Sequence, residues 1–220
     1  MRILQLDFYG DHNIGLFGHA AEKLCILGRS VSDKDCADIE KVLGVKVVKT
    51  TVANTDLAGL MCCMNSNGVV LPSIAKDEET ARLESLGMNV LALETKFTAI
   101  GNLVLCNDKG AVVGKPLARC REKMSRCLGV DVRTATIAGM NTVGSCGIAT
   151  NSGCLLHRDA MDKEIRIVEK TLGVEVGIGT ANFGSPFVGS CAIANSSAVA
   201  VGGSTTGPEM NRFIETLLRN

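Results

Sequence analysis

Apolar residues in this chain come in short runs set off by polar turns, and the pattern returns again and again. Val69-Val70-Leu71 follows Asn65-Ser66-Asn67 and Gly68. Ala111-Val112-Val113 follows Asn107-Asp108-Lys109 and Gly110, and Cys154-Leu155-Leu156 follows Asn151-Ser152 and Gly153. A strand, a glycine-closed turn and a second strand predict a β-hairpin. After each hairpin the apolar spacing lengthens. Met161, Ile165, Val168 and Leu172 fall on one helical stripe, and Leu117, Cys120, Met124 and Leu128 do the same. Thr206-Gly207-Pro208-Glu209 reads as a capping box with proline in the first turn. The helices close at Leu43-Gly44, Leu86-Gly87, Leu128-Gly129 and Leu172-Gly173. There glycine can take the left-handed C-cap conformation, and the apolar residue behind it can fold back on the last turn. A short return strand follows, as over 45–48 and 130–132.

These elements recur with a period of about 44 residues. A small aliphatic residue and a glycine mark each copy: Ile14-Gly15, Ala58-Gly59, Ile100-Gly101, Val143-Gly144 and Val188-Gly189. The Leu-Gly pairs keep step with these anchor glycines. The five units occupy about 1–44, 45–87, 88–129, 130–173 and 174–220 of one domain. A linear stack of repeats needs polar end caps. Here the end units are as apolar as the middle ones, which points to a closed ring; an open solenoid is the alternative.

Composition narrows the function. The 220 residues are 46% hydrophobic and 21% charged, which fits a globular chain. The 23 basic and 23 acidic residues balance to a net charge of +0. That argues against a protein devoted to wrapping free nucleic acid, which favours a cationic excess. Aromatics are only 3%, so base-stacking platforms are scarce. No apolar run approaches the length of a membrane span. The N-terminus lacks signal-peptide architecture, and the ten cysteines contain no zinc-type C-x-x-C pair. A reducing cytoplasm is the expected compartment.

The chain resembles the translation initiation factor six family over its whole length. The resemblance is carried by Ala99-Ile100-Gly101-Asn102-Leu103-Val104-Leu105-Cys106-Asn107-Asp108, by Gly179-Thr180-Ala181-Asn182 with Val188-Gly189, and by 202–209, Gly-Gly-Ser-Thr-Thr-Gly-Pro-Glu. It implies an α+β fold, a five-bladed pseudosymmetric αβ-propeller of the pentein type. The chain ends soon after its last helix, as in the archaeal form. The implied role is a cofactor-free, monomeric binder. It would sit on the large ribosomal subunit, near the sarcin–ricin loop of the rRNA and a ribosomal protein. There its bulk blocks premature joining of the small subunit, until release during subunit maturation. No membrane, metal or small-molecule substrate is implied.

The pentein fold also hosts guanidino-modifying enzymes, which use a nucleophilic Cys, a His and carboxylates. Of the three histidines, only His157 is near a cysteine in sequence, Cys154, and regular strand geometry puts the two on opposite faces. Cys25 and Cys154 share a repeat position that other copies fill with Val69, Ala111 and Val199. Cys146 and Cys191 share one filled elsewhere by Phe17, Met61 and Leu103. Such positions read as packing. A scaffold for another protein partner is a third possibility.

The segments just before the anchor glycines diverge most between copies, and function tends to lie on such loops. Phe183 and Phe187 lie in one of them, either as binding side chains or as caps on the core. Asn102 follows an anchor glycine where other copies carry Leu16, Leu60, Ser145 and Ser190. An amide at that position suggests an exposed polar contact. The resemblance carries a ribosome-facing role to Asn102 and, by position, to Thr55, Leu57, Leu60, Cys146 and Ser185. Leu60 stands where eukaryotic relatives carry arginine. The clusters Asp77-Glu78-Glu79 and Arg119-Cys120-Arg121-Glu122-Lys123 read as solvated helix faces.

Overall fold

Each predicted hairpin forms, and four of the five take their return strand from beyond the following helix. The computed structural model describes residues 2–219. The opening strand β1 spans Ile3–Leu6. The first sheet pairs β2 (Gly18–Ala20) with β3 (Leu24–Gly28), and after α1 (Asp33–Leu43) β4 (Lys46–Thr50) joins in parallel. After the one-turn helix α2 (Ala58–Met61), the second sheet holds β5 (Cys63–Met64), β6 (Gly68–Pro72) and, past α3 (Asp77–Glu84), β7 (Asn89–Leu93). The third begins with the one-turn helix α4 (Ile100–Leu103). It holds β8 (Val104–Cys106), β9 (Gly110–Val113) and, past α5 (Arg121–Leu128), β10 (Asp131–Thr134). The fourth holds β11 (Gly147–Ala149), β12 (Cys154–His157) and, past α6 (Asp162–Leu172), β13 (Val176–Gly179). The fifth pairs β14 (Ala192–Ala194) with β15 (Val199–Gly202), and α7 (Gly207–Leu217) follows.

The return strand of the fifth sheet comes from the other end of the chain. β1 lies parallel to β15, from Ile3 opposite Val199 to Leu6 opposite Gly202. Sequence units and sheets are therefore out of phase. The strand that opens each unit completes the sheet of the unit before it, and the first unit's strand serves the last. The fold is α+β, with five three-stranded sheets.

The anchor glycines explain how closely the inner turns approach. A methyl group on Gly59 would strike the carbonyl of Gly15, one on Gly101 that of Gly59, one on Gly144 that of Gly101, and one on Gly189 that of Gly144. One on Gly15 would strike Gly189, so the contacts return to their start. Only a residue without Cβ fits at such a backbone crossing.

Helices lie outside the sheets, and four of them reach back to the preceding sheet. α5 contacts β6, α6 contacts β9, α7 contacts β12 and α1 contacts β15. Buried side chains on the hairpin turns seal these junctions. Asn65 Nδ2 donates to the Leu128 carbonyl at 2.8 Å, Asn107 Nδ2 to Leu172 at 2.9 Å, Thr150 Oγ1 to Leu217 at 2.9 Å and Asn195 Nδ2 to Leu43 at 2.9 Å. The last carbonyls of a helix lack intrahelical partners. Here the neighbouring sheet supplies the donor.

Two helical readings need adjustment. Leu117 and Cys120 lie in a 3-10 segment, Lys115–Cys120, and the α-helix proper starts at Arg121. Lys115-Pro116 opens that segment, and the proline ring restricts the first turn. Met161 is the N-cap of α6 and is 40% exposed, so the buried stripe begins later. The expected left-handed glycines are present after α1, α5 and α6, with φ of 67° at Gly44, 67° at Gly129 and 60° at Gly173. The expected capping box forms at Thr206 and Glu209.

Candidate functional site

Four of the five segments before the anchor glycines fold as tight turns. Bridges pair Phe8 with Asp11, Val52 with Thr55, Ile137 with Met140 and Ala181 with Ser185. Their tips use positive φ at ordinary residues: 56° at Tyr9, 53° at Ala53, 59° at Asn54, 51° at Ala138 and 60° at Phe183. Non-glycine residues enter this region at a cost and stay only where surroundings hold them.

Capping glutamates do the holding in three of these four turns, Glu79 and Glu164 buried and Glu209 half-buried. Glu79 accepts from Ala53 N at 2.8 Å, Asn54 N at 3.0 Å and Thr51 Oγ1 at 2.6 Å. Glu164 accepts from Ala138 N at 2.8 Å, Gly139 N at 3.0 Å and Thr136 Oγ1 at 2.6 Å. Glu209 accepts from Gly184 N at 2.8 Å, Phe183 N at 3.2 Å and Thr180 Oγ1 at 2.7 Å. Each also accepts from its own helix N-cap, as a capping-box glutamate does. Burial works to raise these carboxyl pKa values, but the converging donors outweigh it and hold all three below the ordinary value of 4.5. Glu79 is thus no part of a solvated face. It is 6% exposed, while its neighbours Asp77 and Glu78 do face solvent. The signal for this latch was present in sequence as a threonine and a glutamate keeping the repeat period.

The residues singled out from sequence lie on these turns and the segments behind them. Thr55 caps its own turn, its hydroxyl accepting from Leu57 N at 2.9 Å, and Leu57 and Leu60 follow half-buried at the start and within α2. Asn102 sits on α4, next to α2, and is half-buried rather than projecting. Its Oδ1 accepts from Ser145 Oγ at 2.8 Å, so part of its polarity serves the neighbouring blade. Ser185 closes the fifth turn and is half-buried. Phe187 is 39% exposed and packs edge-on to His157, with ring centroids 5.7 Å apart.

Cys146 is a correction. It has no exposed surface and packs with Val143, Cys154 and Leu156. The second residue after an anchor glycine turns into the core, so Cys146 cannot touch a partner directly. The packing reading of its repeat position applies to it instead.

Two exposed aromatics complete the face. Phe183 is 84% exposed and Tyr9 66%. Their turns are tied together, because Asn182 Nδ2 donates to the His12 carbonyl at 2.7 Å. Tyr9 was not singled out from sequence, although its place in Phe8-Tyr9-Gly10-Asp11, ahead of an anchor glycine, marks a turn tip.

Along the axis the anchor turns enclose a cavity of about 50 Å³, lined by Leu16, Asn102, Ser145 and Ser190 at the turns and by His19 and Cys106 deeper in. The histidine–cysteine pairing differs from the one sequence proximity suggested. His157 and Cys154 are both buried on β12, and His157 Nδ1 accepts from Asp159 N at 3.1 Å. Burial lowers the His157 pKa. His19 and Cys106, from the first and third blades, instead both line this cavity. Among the described residues, no cluster of three or more His, Cys, Asp or Glu side chains is arranged to hold a metal. No helix among them is long and apolar enough to cross a membrane.

Comparison with known proteins places this architecture. The model of the eIF-6 family matches residues 3–216. The chain is 37% identical over 224 residues to translation initiation factor 6 of Pyrococcus abyssi, covering 99% of each chain. It is 37% identical over 215 residues to that of Methanocaldococcus jannaschii, covering 94% of each. It is 36% identical over 221 residues to that of Saccharolobus islandicus, covering 99% of each. A match of this extent runs through all five repeats and both markers of the period, and the chain belongs to the eIF-6 family.

Proposed function

We propose that this protein binds the large ribosomal subunit with the face that carries the anchor turns, and that its bulk keeps the small subunit from joining. The observation that supports this most is the set of latched turns. They hold Phe183 in an exposed, positive-φ conformation, beside Phe187 and Ser185, on a face that also carries Thr55, Leu57, Leu60 and Asn102. Rigid turns lose little entropy on binding, so more of the contact energy appears as affinity. The relatives named translation initiation factor 6 supply the process. The partners on this reading are a ribosomal protein and the sarcin–ricin loop region of the rRNA. The molecule acts in the cytoplasm as a monomeric closed ring without a cofactor.

Steric exclusion asks for affinity and volume, not for chemistry. A standard interface of about 1,600 Å² accommodates nanomolar binding, about −12 kcal/mol. Asn102→Arg tests the reading. It places a long charged side chain at the cavity mouth, so co-sedimentation with isolated large subunits should weaken at both low and high salt, and subunit joining should recover. Unchanged affinity at both salt concentrations, with circular dichroism unchanged, would refute the assignment of this face.

The second reading, a guanidino-modifying enzyme, draws on His19 and Cys106 lining one cavity. The size of the cavity weighs against it. Small-molecule sites usually measure about 300–1,000 Å³, whereas this cavity measures about 50 Å³. Turnover of arginine or agmatine that is lost on Cys106→Ala would favour the enzyme.

A further inference from the structure

The balanced net charge conceals an uneven surface. The 3-10 segment and α5 on the outside of the third blade carry Lys115, Arg119, Arg121, Lys123 and Arg126 against a single acid, Glu122. α3 of the blade before is the reverse, with Asp77, Glu78, Glu79 and Glu84 against Arg82. All five cations of the third blade are exposed, whereas Leu117, Met124, Cys127 and Leu128 of the same segment are buried. Arg119, Lys123 and Arg126 follow at steps of four and three residues, an outward stripe about 10 Å long. Among the described residues, no carboxylate lies within 4.0 Å of Lys115, Arg119 or Arg126. Lys123 meets only Glu94, at 3.8 Å with both side chains largely in solvent, and such a pair contributes little. Like charges three and four residues apart repel and weaken a helix. The stripe therefore brings the free protein no stability, and an anion laid along it would relieve the repulsion.

We propose that this stripe binds the phosphodiester backbone of RNA.

The surroundings of the stripe select that occupant. The exposed large apolar side chains are Tyr9, Ile74, Met161, Ile167, Ile178, Phe183 and Phe187, and all of them lie outside 115–128. A protein interface is built around an apolar or aromatic centre, which the stripe lacks. A helix that lies on a membrane turns its apolar side to the lipid, whereas here that side is buried in the core of the third blade. Phosphate neutralisation needs only cations and gains from the counterions it releases. With no aromatic residue over 115–128 to stack on bases, the contact reads backbone charge and not base sequence. α5 also packs against β7, and the chain beyond β7 runs through Glu94 to the exposed Lys96 in the segment before the third anchor glycine. The stripe thus adjoins the face that carries the anchor turns. The inference rests on the proposed binding to the large subunit for the source of the RNA, and on the charge pattern for the contact itself.

The test titrates the full-length protein into a short fluorescent RNA duplex across a series of salt concentrations, with polyglutamate of similar charge as a second probe. The wild type should bind the duplex at low salt, with log affinity falling about 0.9 per phosphate neutralised for each tenfold rise in salt. The variant combining Arg119→Glu, Lys123→Glu and Arg126→Glu should lose at least tenfold in affinity and flatten that slope by about 3. Lys34→Glu with Lys41→Glu on α1 should change neither. In the wild type, the duplex should also slow acetylation of Lys115 and Lys123, a readout that holds even if the triple variant fails to fold. Equal duplex binding by the folded triple variant, unprotected lysines, or equal affinity for polyglutamate would overturn the proposal; the last would mark an acidic protein as the partner. Asn102→Arg should leave duplex binding at the wild-type level. A wild type that binds the duplex through the stripe but does not bind large subunits would uphold this contact and refute the proposed function.

Discussion

The junction between the first two blades is built differently from the other four. At those four, a buried Asn65, Asn107, Thr150 or Asn195 donates to the end of the next blade's helix. At the first, Ala21 occupies the same repeat position and offers no donor. The helix it faces is also different. α3 stops at Glu84, and its last turn closes on itself, with Ser85 N bonded to the Ala81 carbonyl, Leu86 N to Leu83 and Gly87 N to Glu84. The other four helices end on a carbonyl bonded by a side chain of the neighbouring blade, whereas among the described residues no side chain is bonded to the carbonyl of Leu86 at the end of α3.

The largest effect should come from Asn107→Ala. That amide donates to Thr150 and Leu172 and accepts from Lys109 N and Gly110 N. Stranding several buried groups should cost about 3–4 kcal/mol, read as a lower urea midpoint with an unchanged slope. Next, Glu164→Ala removes the acceptor for its turn and should cost about 2–3 kcal/mol. The same carboxylates set an acid limit. Their folded pKa values lie below the ordinary 4.5, so their contribution is complete above that pH and is lost as pH falls through the folded values. Glu164→Gln should flatten that part of the pH profile of stability. Thr150→Ala, which removes one hydroxyl donor, should cost about 1 kcal/mol. Ala21→Asn should cost about 1 kcal/mol if the new amide finds no partner, because Ala21 is buried and an unpaired polar group there loses its hydration. A gain of about 1 kcal/mol or more in that variant would show that the end of α3 accepts the amide and that the two junction types are the same after all.

Legibility in the sequence followed the range of the interaction. Hairpins, caps and helix ends were readable because they rest on residues a few positions apart, as in Thr206 with Glu209 or Leu128 with Gly129. Site residues were readable only as places in the repeat. Thr55, Leu57, Leu60, Asn102, Ser185 and Phe187 all fall on the turn face, but Asn102 is partly engaged by Ser145, and Cys146 is sealed in the core. Repeat position states which residues are equivalent; it does not state which way a side chain turns when the neighbouring blade arrives. Glu79 shows the same limit, since the acidic run around it looks solvated until the turn over 51–54 folds onto its carboxylate.

Period, unit content and the glycine at each inner crossing were therefore written into the linear pattern, because every copy repeats the same local physics about 44 residues apart. The pairing of β1 with β15, the amide seals between blades and the cavity that His19 and Cys106 share arise only once distant copies are brought side by side. Those contacts join positions whose separation along the chain carries no signal of its own, and their energies depend on burial that exists only in the assembled fold.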